Sequence, residues 1–111
     1  MAITRKDEAQ YRHYQPERVE VIDSRAVRFS DVCVHTFRIG DVEDPDIYAG
    51  EPLWQWQQSE AGQWVMENAV ETPYWISSLD HQNWGHKYKI MARLSEQNQT
   101  YFNLKFAKSM S

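Results

Sequence analysis

Apolar and polar side chains alternate along several stretches of the chain, which is the pattern of β-strands in a sheet with a buried face. Residues 18–23 predict a short edge strand, and residues 26–39 predict a longer strand that is covered on both faces. Later in the chain, residues 73–78, 86–94 and 100–106 predict three more strands. A short polar stretch joins the last two, which predicts a β-hairpin.

A helical period replaces this alternation in the middle of the chain. Asp44 and Pro45 can begin one helical turn, because aspartate caps free backbone N–H groups and proline suits the first helical position. Gly50 then interrupts the pattern, and we expect a main helix from about Pro52 to about Asn68. The sequence therefore predicts an α+β fold, in which one long helix packs on one face of a four- to five-stranded antiparallel or mixed sheet, in the order β-α-β-β-β.

The length of 111 residues is enough for one domain. We expect a flexible N-terminal arm over residues 1–16, which are polar and lack a period, and a single α+β domain over residues 17–108. No stretch approaches about twenty apolar residues, and the first residues lack the apolar run of a signal peptide. The single cysteine, Cys33, fits a reducing compartment, so we expect a cytoplasmic protein with no contact to a membrane.

Three tryptophans lie on the predicted main helix, and helical geometry separates two of them. Trp54 and Trp56 fall on opposite flanks of the apolar stripe that includes Trp64, so one sheet cannot bury both fully. An exposed tryptophan is favoured where a second chain covers it, and Gly62 permits another backbone to come close. We therefore predict an interface that includes Trp54, Trp56 and Gly62. Loops of the same chain are the alternative cover, and stacking on a planar ligand is a third interpretation.

The net charge of −4 argues against a general nucleic-acid-binding protein, because such proteins need a basic surface. Acidic residues are concentrated in residues 26–70 and basic residues in residues 71–111, so two copies of the chain could attract each other. If the predicted hairpin forms, its cations share one face of the sheet. This face is either solvated or binds an acidic partner or a phosphate backbone, through Lys87, Lys89, Arg93 and Lys105.

Histidines supply the candidate chemistry. His35 lies on a predicted strand, where a half-buried structural histidine is the alternative to a general base. Asp80, His81 and His86 bracket a loop and are residue types that bind divalent metals, but a polar hairpin loop explains them as well. No phosphate-binding glycine loop or nucleophile motif occurs in the sequence. We expect no cofactor and no bound metal, and an enzyme that uses these residues is the alternative function.

One long stretch, DVEDPDIYAGEPLWQWQQSEAGQWVMENAVETPYW, with YKIMARLSEQNQTYFNLKF after it, resembles small uncharacterised proteins of marine tailed bacteriophages, cyanophages in particular. The resemblance covers residues 41–106 and implies a viral or marine metagenomic origin, in the host cytoplasm or the virion. It implies no catalytic residues. We therefore expect a non-enzymatic accessory or minor structural protein that acts by protein–protein contact, as a homodimer or larger assembly. Another phage or host protein is the alternative partner.

Overall fold

The computed structural model describes residues 3–5, 17–40, 42–80 and 85–106. Within these ranges the chain is α+β, with five strands and three helices. The strands are β1 (Thr4–Arg5), β2 (Glu17–Ile22), β3 (Arg25–Ile39), β4 (Tyr74–Asp80) and β5 (Gly85–Ser95). The helices are α1 (Pro45–Gln58), α2 (Glu60–Asn68) and α3 (Glu96–Lys105).

The strands form one mixed sheet in the order β1-β4-β5-β3-β2. The four longer strands pair antiparallel, and the two residues of β1 pair in parallel with the start of β4. Asp23 and Ser24, both at positive φ, form the turn between β2 and β3, as in two-residue hairpins of type I′. The predicted edge strand and the longer strand beside it are confirmed.

The core lies between one face of the sheet and the helices. β5 supplies its centre, because Tyr88, Ile90, Ala92 and Leu94 alternate toward the helices and are all fully buried. The aromatic residues Trp56, Trp75, Phe102 and Phe106 and the aliphatic residues Val34 and Val65 complete it.

A β-bulge in β3 changes which residues share a face. The pairing with β5 shifts register between Cys33 and His35, so that Val34 is the extra residue, and its side chain is fully buried. Simple alternation along residues 26–39 predicts that Cys33 shares a face with His35 and Phe37, and the bulge makes that prediction wrong. His35 and Phe37 face the helices, whereas Cys33 lies on the other side and is exposed.

The single long helix predicted in the middle of the chain is two helices. α1 continues through Gly50 and Pro52, although Pro52 has no N–H to donate to the carbonyl of Tyr48. Tyr48 is exposed, so water can satisfy that carbonyl. The break comes instead at Ser59, whose backbone is extended and whose Oγ accepts a hydrogen bond from the N–H of Gly62 at 3.0 Å. Ser59 therefore ends α1 and caps the start of α2.

The strand predicted at residues 100–106 is also wrong, because these residues belong mainly to α3. Ser95 caps this helix by accepting a hydrogen bond from the N–H of Asn98 at 3.2 Å. Phe102 and Phe106 are one helical turn apart and both are buried, as a helical period requires. The predicted order β-α-β-β-β and the hairpin with residues 86–94 are wrong for this reason, since β5 pairs with β3 and β4 instead.

The predicted flexible arm, residues 1–16, lies mostly outside the described residues. Within this arm, Thr4–Arg5 form β1. The boundary of a single domain over residues 17–108 stays a prediction. In the described part of the chain, no helix has the length and apolar character needed to cross a membrane.

Candidate functional site

The two flanking tryptophans of α1 point in opposite directions. At about 100° per residue, Trp54 and Trp56 lie about 160° apart around the helix. Trp56 is 5% exposed and stacks on the ring of His35, with 6.1 Å between the ring centroids. Trp54 is 62% exposed. Of the predicted interface residues, Trp56 is therefore buried inside its own chain, whereas Trp54 faces away from the sheet.

Two further apolar side chains lie beside Trp54 on the outer side of α1. Ile47 is 75% exposed and Tyr48 is 57% exposed. The three residues fall within an arc of about 120°, opposite the buried Ala49 and Trp56. We call Ile47, Tyr48 and Trp54 the α1 surface. Exposed aromatic side chains are enriched where another protein binds, so this surface is the strongest candidate for a contact with a partner.

Gly62 lies at the elbow between α1 and α2. A Cβ atom at this position would lie 1.8 Å from the carbonyl oxygen of Trp56, so only glycine fits. Gly62 is buried, and the backbone that comes close to it is that of α1 in the same chain. Its role is to set the direction of α2 after the break at Ser59.

Asp46, in the first turn of α1, fixes this helix against the sheet. Its carboxylate accepts a hydrogen bond from the hydroxyl of Tyr88 at 2.6 Å and forms an ion pair with Arg5. The guanidinium of Arg5 also lies over the ring of Trp75, 5.3 Å from the centroid. Burial and the hydrogen bond to Asp46 raise the pKa of Tyr88, so its hydroxyl stays a donor even in the alkaline range where an exposed tyrosine loses its proton. These contacts hold α1 in one orientation and so present Trp54 on a rigid element.

The two histidines that the structure describes, His35 and His86, do not come together into one site. His35 is half-buried between Trp56 and Phe37, and burial lowers its pKa, so the ring is neutral at pH 7. His86 lies four residues along β5 from the residue that pairs with His35, so about 13 Å separate the two histidines. His81 and the side chain of Asp80 lie outside the described residues. Among the residues that are described, no group of three or more metal-binding side chains occurs.

The four predicted cations do not share one face. Lys87, Lys89 and Arg93 alternate along the face of β5 that points away from the helices, whereas Lys105 lies on α3. Lys105 pairs with Glu60 of α2 at 3.3 Å. The prediction of a common face depended on a strand at residues 100–106, and the helix there separates Lys105 from the others.

Arg93 belongs to a buried polar cluster that the sequence pattern did not predict. Its Nε donates to one carboxylate oxygen of Asp31 at 2.9 Å, and the hydroxyl of Tyr74 donates to the other at 2.7 Å. The side chains of Arg93 and Asp31 are 5% and 1% exposed. An aspartate inside an otherwise apolar strand is the signal that could have indicated such a partner. Because both oxygens of Asp31 are engaged, this cluster joins β3, β4 and β5 and offers no free reactive group.

Glu71 extends this cluster toward the surface. It accepts a hydrogen bond from Arg18 of β2 at 3.4 Å and lies 3.9 Å from Arg93. Arg18 also has its Nε 3.1 Å from a carboxylate oxygen of Glu20, but that N–H does not point at the oxygen and makes no hydrogen bond. Arg18 and Glu20 are therefore held together by charge rather than by directed hydrogen bonding.

An open groove of about 400 Å³ lies between the start of β3 and the first turn of α3. Both polar and apolar groups line it, including Arg25, Arg28 and Thr100.

Comparisons with known protein families, with curated proteins and with solved structures found no match.

Proposed function

We propose that this chain is a non-enzymatic, self-associating protein, and that its α1 surface contacts a second copy in a homodimer. The exposure of Trp54 on α1 is the observation that carries the proposal, because a 62% exposed tryptophan on the same side of the helix as exposed Ile47 and Tyr48 leaves a large apolar area in water. Tryptophan and tyrosine are the side chains that most often dominate the energy of protein interfaces.

A protein partner fits the shape of this surface better than a small ligand does. Small molecules bind in concave pockets, and the outer side of a helix is convex. Polar side chains also lie within the surface, since Gln55 donates a hydrogen bond to Glu51 at 3.2 Å. By helical geometry Glu51 lies near the middle of the arc that Trp54 and Tyr48 span, so this surface combines apolar side chains with hydrogen-bonding groups, as protein interfaces do.

A second copy is the partner that the arrangement of α1 favours. Ile47 and Trp54 are seven residues apart, which is two helical turns on the same side of the helix. Two antiparallel α1 helices related by a two-fold axis therefore place Ile47 of each copy against Trp54 of the other. Such a contact is self-complementary, as the interface of a symmetric dimer must be.

The alternative functions have less support from the described residues. His35 lies half-buried between two aromatic rings and far from His86, so the two described histidines give an enzyme no converging pair of groups. For nucleic-acid binding, Lys105 and Arg93 are engaged with Glu60 and Asp31, which leaves a smaller basic surface than was predicted. A phage-type accessory or structural role, in the host cytoplasm or the virion, rests on the resemblance of residues 41–106.

The test is the solution mass of the wild type and of Trp54→Ala over a dilution series, by light scattering or sedimentation. We expect the wild type at twice 13.2 kDa or more, and we expect Trp54→Ala to weaken the contact through the α1 surface by at least about thirtyfold, as removal of an interface anchor does. Leu104→Ala is the matched control, because Leu104 is 70% exposed on α3 and should leave the mass unchanged. Equal association of Trp54→Ala and the wild type would contradict the proposal.

A further inference from the structure

β2 is the outermost strand on one side of the sheet, next to β3. Among the described residues, the side of its backbone that faces away from β3 has no strand partner. Val19 and Val21 on this strand are 58% and 75% exposed. An edge strand with exposed apolar side chains readily pairs with another strand, and proteins usually guard against such pairing.

We propose that a second copy of this chain pairs with β2 in antiparallel orientation, with Val19 opposite Val19 of that copy. The two sheets then continue into one sheet across a two-fold axis. This contact uses none of the residues of the α1 surface, so it is independent of the proposed function.

The charges of β2 select this register. In an antiparallel pairing of β2 with its own copy, the N–H and C=O groups that point away from β3 in one copy must meet the same groups of the other. One residue of β2 then lies directly opposite the same residue of the other copy. A pairing centred on Arg18 sets two arginines opposite each other, and one centred on Glu20 sets two glutamates opposite each other. Like charges directly opposite destabilise a sheet. A pairing centred on Val21 needs Asp23 opposite Val19, but Asp23 lies outside β2 in the turn, at positive φ, so fewer strand residues pair.

The pairing centred on Val19 has the opposite property. It places Arg18 of each copy opposite Glu20 of the other, so two ion pairs form on one face of the sheet. These side chains are accessible to a partner, since they are 37% and 43% exposed. On the other face, Val19 meets its own copy, and Val21 lies opposite Glu17 and diagonal to Val19 of the other copy, within reach of an apolar contact. The reciprocal charge order therefore favours a second copy over an unrelated strand.

Charge reversal tests this proposal directly. Glu20→Arg sets arginine opposite arginine in a dimer of that variant, and Arg18→Glu sets glutamate opposite glutamate. All chains also carry Trp54→Ala, which removes the centre of the α1 surface. We expect the Trp54→Ala parent to form a dimer, and each charge-reversed variant to dissociate with at least about a tenfold higher dissociation constant. An equimolar mixture of the two variants should restore a dimer, because two arginines then face two glutamates.

The readout is native mass spectrometry of the mixture, with one variant carrying a mass label, and circular dichroism of each variant alone. Glu20→Arg keeps the contact between Arg18 and Glu71, so it tests the register with the remaining cluster intact. A labelled one-to-one dimer in the mixture supports the proposal. A folded Trp54→Ala parent that is monomeric overturns it, and so does a mixture without the heterodimer. Failure of the α1 contact is recognised separately, by equal association of the wild type and Trp54→Ala.

Discussion

Gly62 lies against the carbonyl oxygen of Trp56, where Ser59 separates α1 from α2. The extended backbone of Ser59 turns the chain back, and the missing side chain at Gly62 lets the first turn of α2 approach α1 closely. In the sequence, a glycine inside a helical pattern predicts weakness or contact with another backbone. The structure shows that this backbone belongs to the same chain.

We expect Gly62→Ala to lower the free energy of unfolding by about 2 kcal/mol, because the added Cβ would overlap a backbone atom that cannot move alone. Gly50→Ala is the control within α1, since no atom lies within 4 Å of a Cβ there. That substitution should raise the free energy of unfolding by up to about 1 kcal/mol, because alanine favours a helix. Urea denaturation followed by circular dichroism measures both, and equal midpoints for the two variants would contradict the overlap.

Among the elements, the strands were largely predictable, because their side chains alternate between a core and a second face. The stretches 18–23, 26–39 and 86–94 have this pattern, and β2, β3 and β5 follow it. The bulge at Val34 was not predictable, since one added residue in a strand that is apolar on both faces leaves the pattern almost unchanged. Only the structure therefore shows which residues of β3 face the helices.

The stretch 100–106 shows why short apolar patterns mislead. Phe102, Leu104 and Phe106 alternate as in a strand, but Phe102 and Phe106 also have the spacing of one helical turn. The signal that favours a helix over a strand here is Ser95, which caps a helix and is followed by an acidic first turn. The opposite orientations of Trp54 and Trp56 were predictable, because they follow from helical geometry, which the break at Ser59 leaves intact within α1.

The buried pair of Asp31 and Arg93 connects β3 with β5, and its energy should differ from that of the exposed pair of Glu60 and Lys105. We expect Asp31→Ala to lower the free energy of unfolding by about 3 kcal/mol, because it removes the nearest carboxylate from a buried guanidinium. Glu60→Gln should leave the urea midpoint unchanged, because the side chains of Glu60 and Lys105 are both exposed to solvent. An equally small effect of the two substitutions would contradict a structural role for the buried pair.

For the whole molecule, one row of aromatic side chains joins the sheet to α1. Trp75 contacts Tyr88, Tyr88 stacks on Phe37 with 5.0 Å between the centroids, and the row continues through His35 to Trp56. Two of these residues titrate, and burial shifts their pKa values in opposite directions. The pKa of His35 is lowered from its ordinary value near 6.5, and the pKa of Tyr88 is raised above its ordinary value near 10.

The stability of the fold should therefore fall at both ends of the pH range. Below about pH 6.5 the unfolded chain takes up a proton at His35 more readily than the folded chain does, so acid favours unfolding. Above about pH 10 the unfolded chain loses the proton of Tyr88 first, so alkali favours unfolding as well. Between these limits, neither group opposes folding.

We expect His35→Gln to reduce the loss of stability between about pH 6.5 and pH 5, and Tyr88→Phe to reduce the loss above about pH 10. The wild type is the reference for both pH ranges. The measurement is the free energy of unfolding in urea at a series of pH values. If Tyr88→Phe and the wild type give the same alkaline slope, the hydroxyl of Tyr88 does not couple the sheet to α1. If Tyr88→Phe alone flattens the slope, its buried proton and the carboxylate of Asp46 hold the two layers together.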